Sequence, residues 1–150
     1  FQQWAGLEVD GAAGRATYRA LAAEPPTSPL NFRRPVDGPH TDLFGPRGNR
    51  FHTGLDFPAP HGTPVHAARG GRVTVARWLE GYGYTIVVRH SFGVSTMYAH
   101  LSSFAVRDGE KVSFGERIGG VGASGSASGP HLHFEVRVRG AAVDPLTTLR

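Results

Sequence analysis

After residue 31 the chain never runs far without glycine, and the pieces between glycines are rich in β-branched and aromatic residues. Residues 63–67, 71–76, 85–90, 94–99, 117–120 and 131–138 each have the length and composition of a strand. Gly70-Gly71, Gly81-Tyr82-Gly83, Gly119-Gly120 and the cluster from Gly122 to Gly129 punctuate them. β-Branched side chains are stiff in a helix but pack well on a pleated surface, and a glycine inside a helix costs about 1 kcal/mol. Helical spacing of apolar residues is absent after residue 23. The expected fold is therefore mainly β, with antiparallel sheets packed as a sandwich or hybrid barrel.

The chain before residue 32 has a different character. Residues 1–22 read as a short helical segment, with Trp4, Leu7 and Val9, an Asp10-Gly11 turn, and an Ala-rich stretch holding Tyr18 and Leu21. It is too short to bury a core of its own. Residues 23–31 form a Pro-rich linker, because Pro25, Pro26 and Pro29 forbid helix and favour extended backbone. Residues 32–150 are then the main domain; a chain of 150 residues suffices for one sizeable core and little more.

Composition excludes several classes. The formal net charge is +4, yet the arginines are scattered, and aromatics do not alternate with them as in a nucleic-acid groove. Nucleic acid is therefore not an expected partner, and a mild positive charge fits approach to a polyanionic surface such as a cell wall. The absence of cysteine rules out a disulfide framework and a thiolate metal site. No apolar run approaches membrane-spanning length, and no signal-peptide pattern is present. The first residue is Phe1 rather than Met, so the expectation is a processed form or an excised piece, in which a removed export signal would leave no trace.

Chemistry concentrates in two stretches. In Gly129-Pro130-His131-Leu132-His133-Phe134-Glu135-Val136, strand alternation puts His131 and His133 on one face, with Glu135 beside them. Two imidazoles aimed the same way from a rigid strand make half of a metal site. Upstream, Phe51-His52-Thr53-Gly54-Leu55-Asp56-Phe57 offers a further His and a carboxylate, and a turn at Gly54 can bring both onto one ion. Neutral nitrogen with hard oxygen is a donor set that suits zinc with one position open for water.

Assembled, these residues resemble the M23 family of zinc metalloendopeptidases, of the lysostaphin and LytM type. The His-x-x-x-Asp signature stands as His52 to Asp56, the middle motif as Tyr98-Ala99-His100-Leu101, and the last motif as Gly129 to Glu135. Phe44-Gly45-Pro46-Arg47, Ala59-Pro60-x-Gly62-Thr63-Pro64-Val65 and Gly115-x-x-Ile118-Gly119 fit as well, so the likeness spans about residues 32–147. The resemblance implies zinc as cofactor, with His52, Asp56 and His133 as its ligands and His100 and His131 flanking the water. It also implies peptidoglycan, through its stem or cross-link peptides, as substrate, and an extracellular, cell-wall or periplasmic location; a monomer is expected. Hydrolysis of an amide needs a base for the water's proton and an acid for the departing amine. Position 53 is Thr, so no Glu follows the first His as it does in His-Glu-x-x-His proteases. A histidine pair replaces it naturally, because imidazole titrates near neutral pH; the residues do not say which of the two is the base.

Other members carry a Tyr about six residues before the first ligand, placed to stabilise the oxyanion; here that position is Pro46. Arg47, Arg50, Tyr82 and Tyr84 are the local candidates for the role. The N-terminal segment resembles the second half of a peptidoglycan-binding repeat, on Phe1-Gln2, Gly6-Leu7, Val9-Asp10-Gly11, Gly14, Thr17 and Leu21. The small-residue stretch Gly122 to Gly129 is a candidate cleft wall. His40, His61 and His66 read as ordinary polar positions, His90 as a structural hydrogen-bonder at a strand end, and Asp144 as a cap on the turn at Pro145. Glu135 is a candidate acceptor that orients one of the histidines.

Two other functions compete. One is a non-catalytic LytM-like domain that binds or activates another wall hydrolase, which retention of all five His and Asp positions disfavours. The other is a biotinyl/lipoyl-type carrier, disfavoured because the single Lys111 stands without that motif's Met.

Overall fold

A computed structural model describes residues 8, 9, 11, 12, 14–22 and 30–150. The chain divides into two compact units, residues 1–31 and 32–150. In the first, one helix is described, α1 (Arg15–Ala22). The helix occupies the Ala-rich end of the segment 1–22; Glu8, Val9, Gly11, Ala12 and Gly14 are not helical, and a turn is the expectation at Asp10-Gly11. Gly11 sits at φ 74°, where an L residue is disfavoured and a right-handed helix cannot continue. Trp4, Leu7 and most of the linker lie outside the described residues, as does much of the peptidoglycan-binding-repeat pattern.

The second unit is mainly β and antiparallel. It comprises β1 (Gly45–Arg47), β2 (Arg50–His52), β3 (Leu55–Pro58), β4 (Pro64–His66), β5 (Gly71–Leu79), β6 (Gly83–Arg89), β7 (Val94–Phe104), β8 (Lys111–Val112), β9 (Arg117–Val121), β10 (His131–Val138) and β11 (Ala141–Val143). β1 and β2 form a separate hairpin. The other nine belong to one sheet in the order β11-β10-β7-β6-β5-β8, with β3 on β10, and β4 joined through β9 to β7.

Two strands carry the architecture. The first half of β7 pairs with β10 and β6, and its second half turns to pair with β9. β10 pairs with β7 along one edge and shares the other between β3 and β11. Leu132, Phe134 and Val136 of β10 are fully buried with Leu55, Tyr98, Ile86, Leu101 and Ile118. The opposite face of β10 is not solvated either, since His133 is 5% exposed and Glu135 0%. Two buried ionisable groups on one strand need partners, since an unpaired buried charge costs several kcal/mol. The register supplies one, for His133 lies directly opposite Asp56 on β3 and opposite Ala99 on β7.

A buried polar chain holds the other end of the sheet. The Ala68 amide donates to the Tyr98 hydroxyl, which meets Thr96 Oγ1, which meets His90 Nε2, each link 2.9 Å. His90 Nδ1 lies 2.9 Å from the Gly70 carbonyl, so this histidine has the structural place expected of it. Burial pushes its pKa below the ordinary value and raises Tyr98 to about 12. Asp144 accepts from the Leu146 amide at 3.0 Å and caps the turn at Pro145.

Candidate metal centre

His52 ends β2, and Thr53-Gly54 turn the chain into β3, which carries Asp56. The turn needs glycine, because a Cβ on Gly54 would lie 2.5 Å from the Phe134 carbonyl and 2.7 Å from the His133 ring. The hairpin therefore presses directly on β10. Three donor atoms converge there. His52 Nε2 is 3.1 Å from Asp56 Oδ1 and 3.0 Å from His133 Nδ1, and His133 Nδ1 is 2.8 Å from Asp56 Oδ1. All three residues are buried.

The outer nitrogens fix the protons. His52 Nδ1 has two neighbours, the Leu43 carbonyl at 2.8 Å and Arg47 Nη2 at 2.9 Å. A carbonyl only accepts, so the ring donates from Nδ1 and leaves Nε2 with its lone pair facing inward. The Arg47 guanidinium then directs its proton to Asp56 Oδ2, 3.2 Å away. His133 Nε2 lies 3.0 Å from Glu135 Oε1 and donates to it, which frees Nδ1 for the centre. Two imidazole lone pairs and a carboxylate oxygen within about hydrogen-bond distance of one another repel unless a cation sits among them.

The ionisation of the cluster expresses the same demand. Burial would raise the Asp56 carboxyl, but the hydrogen bond and charge of His133, then the charges of His52 and His131, hold it at about 2. Burial works to lower the His133 pKa, and bonds to Asp56 and Glu135 raise it instead. A proton answers the need for positive charge in the metal-free chain, and a metal ion has to displace it. Two nitrogens and one hard oxygen in a closed triangle, with their outer atoms anchored, suit zinc.

Glu135 is the hub behind the triangle. Its Oε1 accepts from Thr53 Oγ1 at 2.6 Å, from the Tyr82 hydroxyl at 3.1 Å and from His133, while Oε2 takes Arg137 Nε. Burial opposes its ionisation, yet the bonds from His133, Arg137 and Thr53 keep it ionised, with a pKa of about 2. Thr53, Tyr82 and Arg137 were not legible as its partners from sequence. The only hint for Thr53 is its place next to His52.

His100 and His131 stand beside the triangle. Their ring centroids are 4.8 Å apart, and His100 is 5.9 Å from the His133 ring. His100 Nδ1 lies 2.8 Å from the Ser124 carbonyl and His131 Nδ1 2.8 Å from the Gly129 carbonyl. Each ring therefore donates outward and keeps Nε2 as a free proton acceptor. Burial pushes the His100 pKa below the ordinary value, with the neighbouring His131 and His133 charges adding to it. His100 also has φ 60°, a left-handed backbone that costs about 1–3 kcal/mol in a residue with a side chain. Its amide is tied to the Tyr82 carbonyl at 2.8 Å, which holds the strained residue in place.

The stretch from Gly122 to Gly129 is pinned rather than loose. Ser124 Oγ donates to the Leu101 carbonyl and accepts from the Tyr84 amide, and the Ser126 amide donates to the Gly81 carbonyl. Ser126, Ser128 and Gly129 line one side of a cleft of about 600 Å³ that opens over the triangle; Arg47, Arg50 and Phe51 line the other. Of the oxyanion candidates, Tyr84 packs between Trp78 and Phe104, with centroids 5.2 and 5.5 Å away, and is not part of the cleft. Arg47, Arg50 and Tyr82 do line it, with the Tyr82 hydroxyl occupied by Glu135. His40, His61 and His66 lie outside both the triangle and the cleft.

Comparison with known proteins gives the same direction. The profile of peptidase family M23 matches residues 50–145. The DD-carboxypeptidase/endopeptidase Mpg of Neisseria meningitidis serogroup B is 48% identical over 98 residues, which is 65% of this chain and 23% of Mpg. The murein hydrolase activator EnvC of Escherichia coli is 40% identical over 113 residues, covering 74% of this chain and 27% of EnvC. This chain thus spans under a third of the length of either relative. A zinc-containing peptidase from Vibrio cholerae superposes with a TM-score of 0.67 at 36% identity, over 77% of this chain and 39% of that one. Sheet, motif order and profile agree, and the chain belongs to peptidase family M23.

Proposed function

We propose that this chain is a zinc-dependent endopeptidase that hydrolyses peptide bonds in the stem or cross-link peptides of bacterial peptidoglycan. The observation that carries it is the convergence of His52 Nε2, Asp56 Oδ1 and His133 Nδ1 with both rings anchored from behind. These three residues would hold the ion. When bound, zinc supplies Lewis-acid activation of water and of the scissile carbonyl. The remaining work falls to His100 and His131, whose bare Nε2 atoms are the proton acceptors nearest the triangle. One takes the proton of the attacking water and the pair returns a proton to the departing amine, acting as a coupled unit. Carbonyl acceptors behind each ring stabilise the imidazolium that forms in between. Glu135, through His133, keeps the ligand ring from rotating, and Arg47 does the same for Asp56.

Such an enzyme acts outside the cytoplasm, in the wall or periplasm, and residues 1–22 are assigned as the remnant of a wall-binding repeat. Among the described residues no helix is long and apolar enough to cross a membrane. The likeness to EnvC favours a second reading, a domain that activates another hydrolase. An activator has no need of the five His and Asp side chains assembled in one cleft, and the hydrolase reading uses all of them.

Digestion of purified sacculi tests both. The chain is expected to release peptide fragments, with mass analysis locating the bond cut, and a chelator should stop release until zinc is restored. No release with zinc present, or release untouched by chelator, contradicts the zinc-hydrolase reading.

A further inference from the structure

One charged side chain of the cleft has no ion-pair partner among the described residues. Its permanently charged lining residues are Asp42, Arg47, Asp56 and Arg50. Arg47 Nη2 meets Asp42 at 3.4 Å and Asp56 at 3.2 Å, which accounts for three of them. The Arg50 side chain is exposed and has no ion pair or hydrogen bond among the described residues. It stands directly across the β1–β2 hairpin from Arg47, the two joined by the turn Gly48-Asn49. A guanidinium left unpaired in a cleft whose other three permanent charges pair among themselves is placed to meet an anion that arrives with the ligand.

The two walls differ in kind. Arg50 is the unpaired cation of the lining, whereas Ser126, Ser128 and Gly129 contribute small uncharged groups to it. An extended peptide lying between them meets a charge-selective surface along one edge only. A guanidinium binds a carboxylate through two parallel hydrogen bonds, and a primary amide has only one oxygen to accept and no charge.

Resting on the endopeptidase reading above, we propose that Arg50 is a specificity-determining residue that recognises a free carboxylate on the substrate peptide. The cleft selects carboxylate-bearing peptides over their amidated counterparts. Arg50 is not one of the three converging donors, so a contact that serves binding alone shows in KM rather than kcat.

The test uses a cross-linked stem-peptide dimer with free carboxylates and the same dimer with those groups amidated. The chain is compared with Arg50→Gln and Arg50→Lys. The unmodified chain should cleave the free-acid dimer with about tenfold higher kcat/KM than the amide. Arg50→Gln should lose that preference through a raised KM for the acid dimer alone, and Arg50→Lys should keep part of it. Unchanged zinc content and melting temperature establish that the variants fold. Calorimetric binding of both dimers to chelated protein provides a readout that needs no turnover. Equal affinity of the unmodified chain for the two dimers, or a preference that survives in Arg50→Gln, overturns the role of Arg50. Cleavage of neither dimer, with the Arg50-dependent binding preference intact, contradicts the endopeptidase reading and leaves the carboxylate site standing.

Discussion

His52→Ala is expected to yield a folded chain that does not retain zinc and does not hydrolyse sacculi. The ring contributes one of three converging donors, and its loss opens the triangle on the side of the Leu43 carbonyl. Removal of an outer partner of a metal ligand commonly costs 10–100-fold in affinity, and loss of a ligand itself should exceed that. The core does not depend on this side chain, because Tyr98, Phe134, Leu132, Leu55 and Ile86 pack beneath it on the other face of the sheet. Metal analysis, circular dichroism and the digestion assay read the three quantities separately. One equivalent of zinc retained by the variant would refute the ligand assignment.

His100→Ala separates the metal from the proton transfer. The ring makes no hydrogen bond to the three donor atoms and is held by the Ser124 carbonyl instead. Zinc content should therefore stay at one equivalent while kcat falls by about 10²–10⁴-fold, the range general acid–base groups supply. A residual rate carried by His131 is compatible with a coupled pair. Turnover within about threefold of the unmodified chain would show that His131 alone serves as the proton-transfer group.

Much of this site is legible in the order of residues. Strand alternation alone aligns His131, His133 and Glu135, and β10 occupies the same residues, 131–138, in the fold. Gly54 announces a tight approach, and the fold shows it pressed against the Phe134 backbone. The register that sets His133 opposite Asp56 is not legible, since it depends on pairing between strands 77 residues apart. The tautomers are equally hidden, because they are set by carbonyls of Leu43, Ser124 and Gly129 that any residue could provide.

The strands show the same division. β4, β5, β6, β7, β9 and β10 are visible as β-branched runs, whereas β1, β2, β3, β8 and β11 have two to four residues and exist through their partners. β7 continues to Phe104 through Ser102-Ser103, which have little strand preference of their own, because Gly119 and Gly120 of β9 pair with it there. The Asp10-Gly11 pair marks a turn in the sequence, and Gly11 takes a positive φ ahead of the helix that begins at Arg15.

Zinc-edge X-ray absorption on the zinc-reconstituted chain addresses the central geometry directly. The account predicts one ion per chain with nitrogen and oxygen neighbours at about 2.0–2.2 Å, including the signature of two imidazoles and a coordination number of four or five. A shell of oxygen alone, or of a single imidazole, would contradict it.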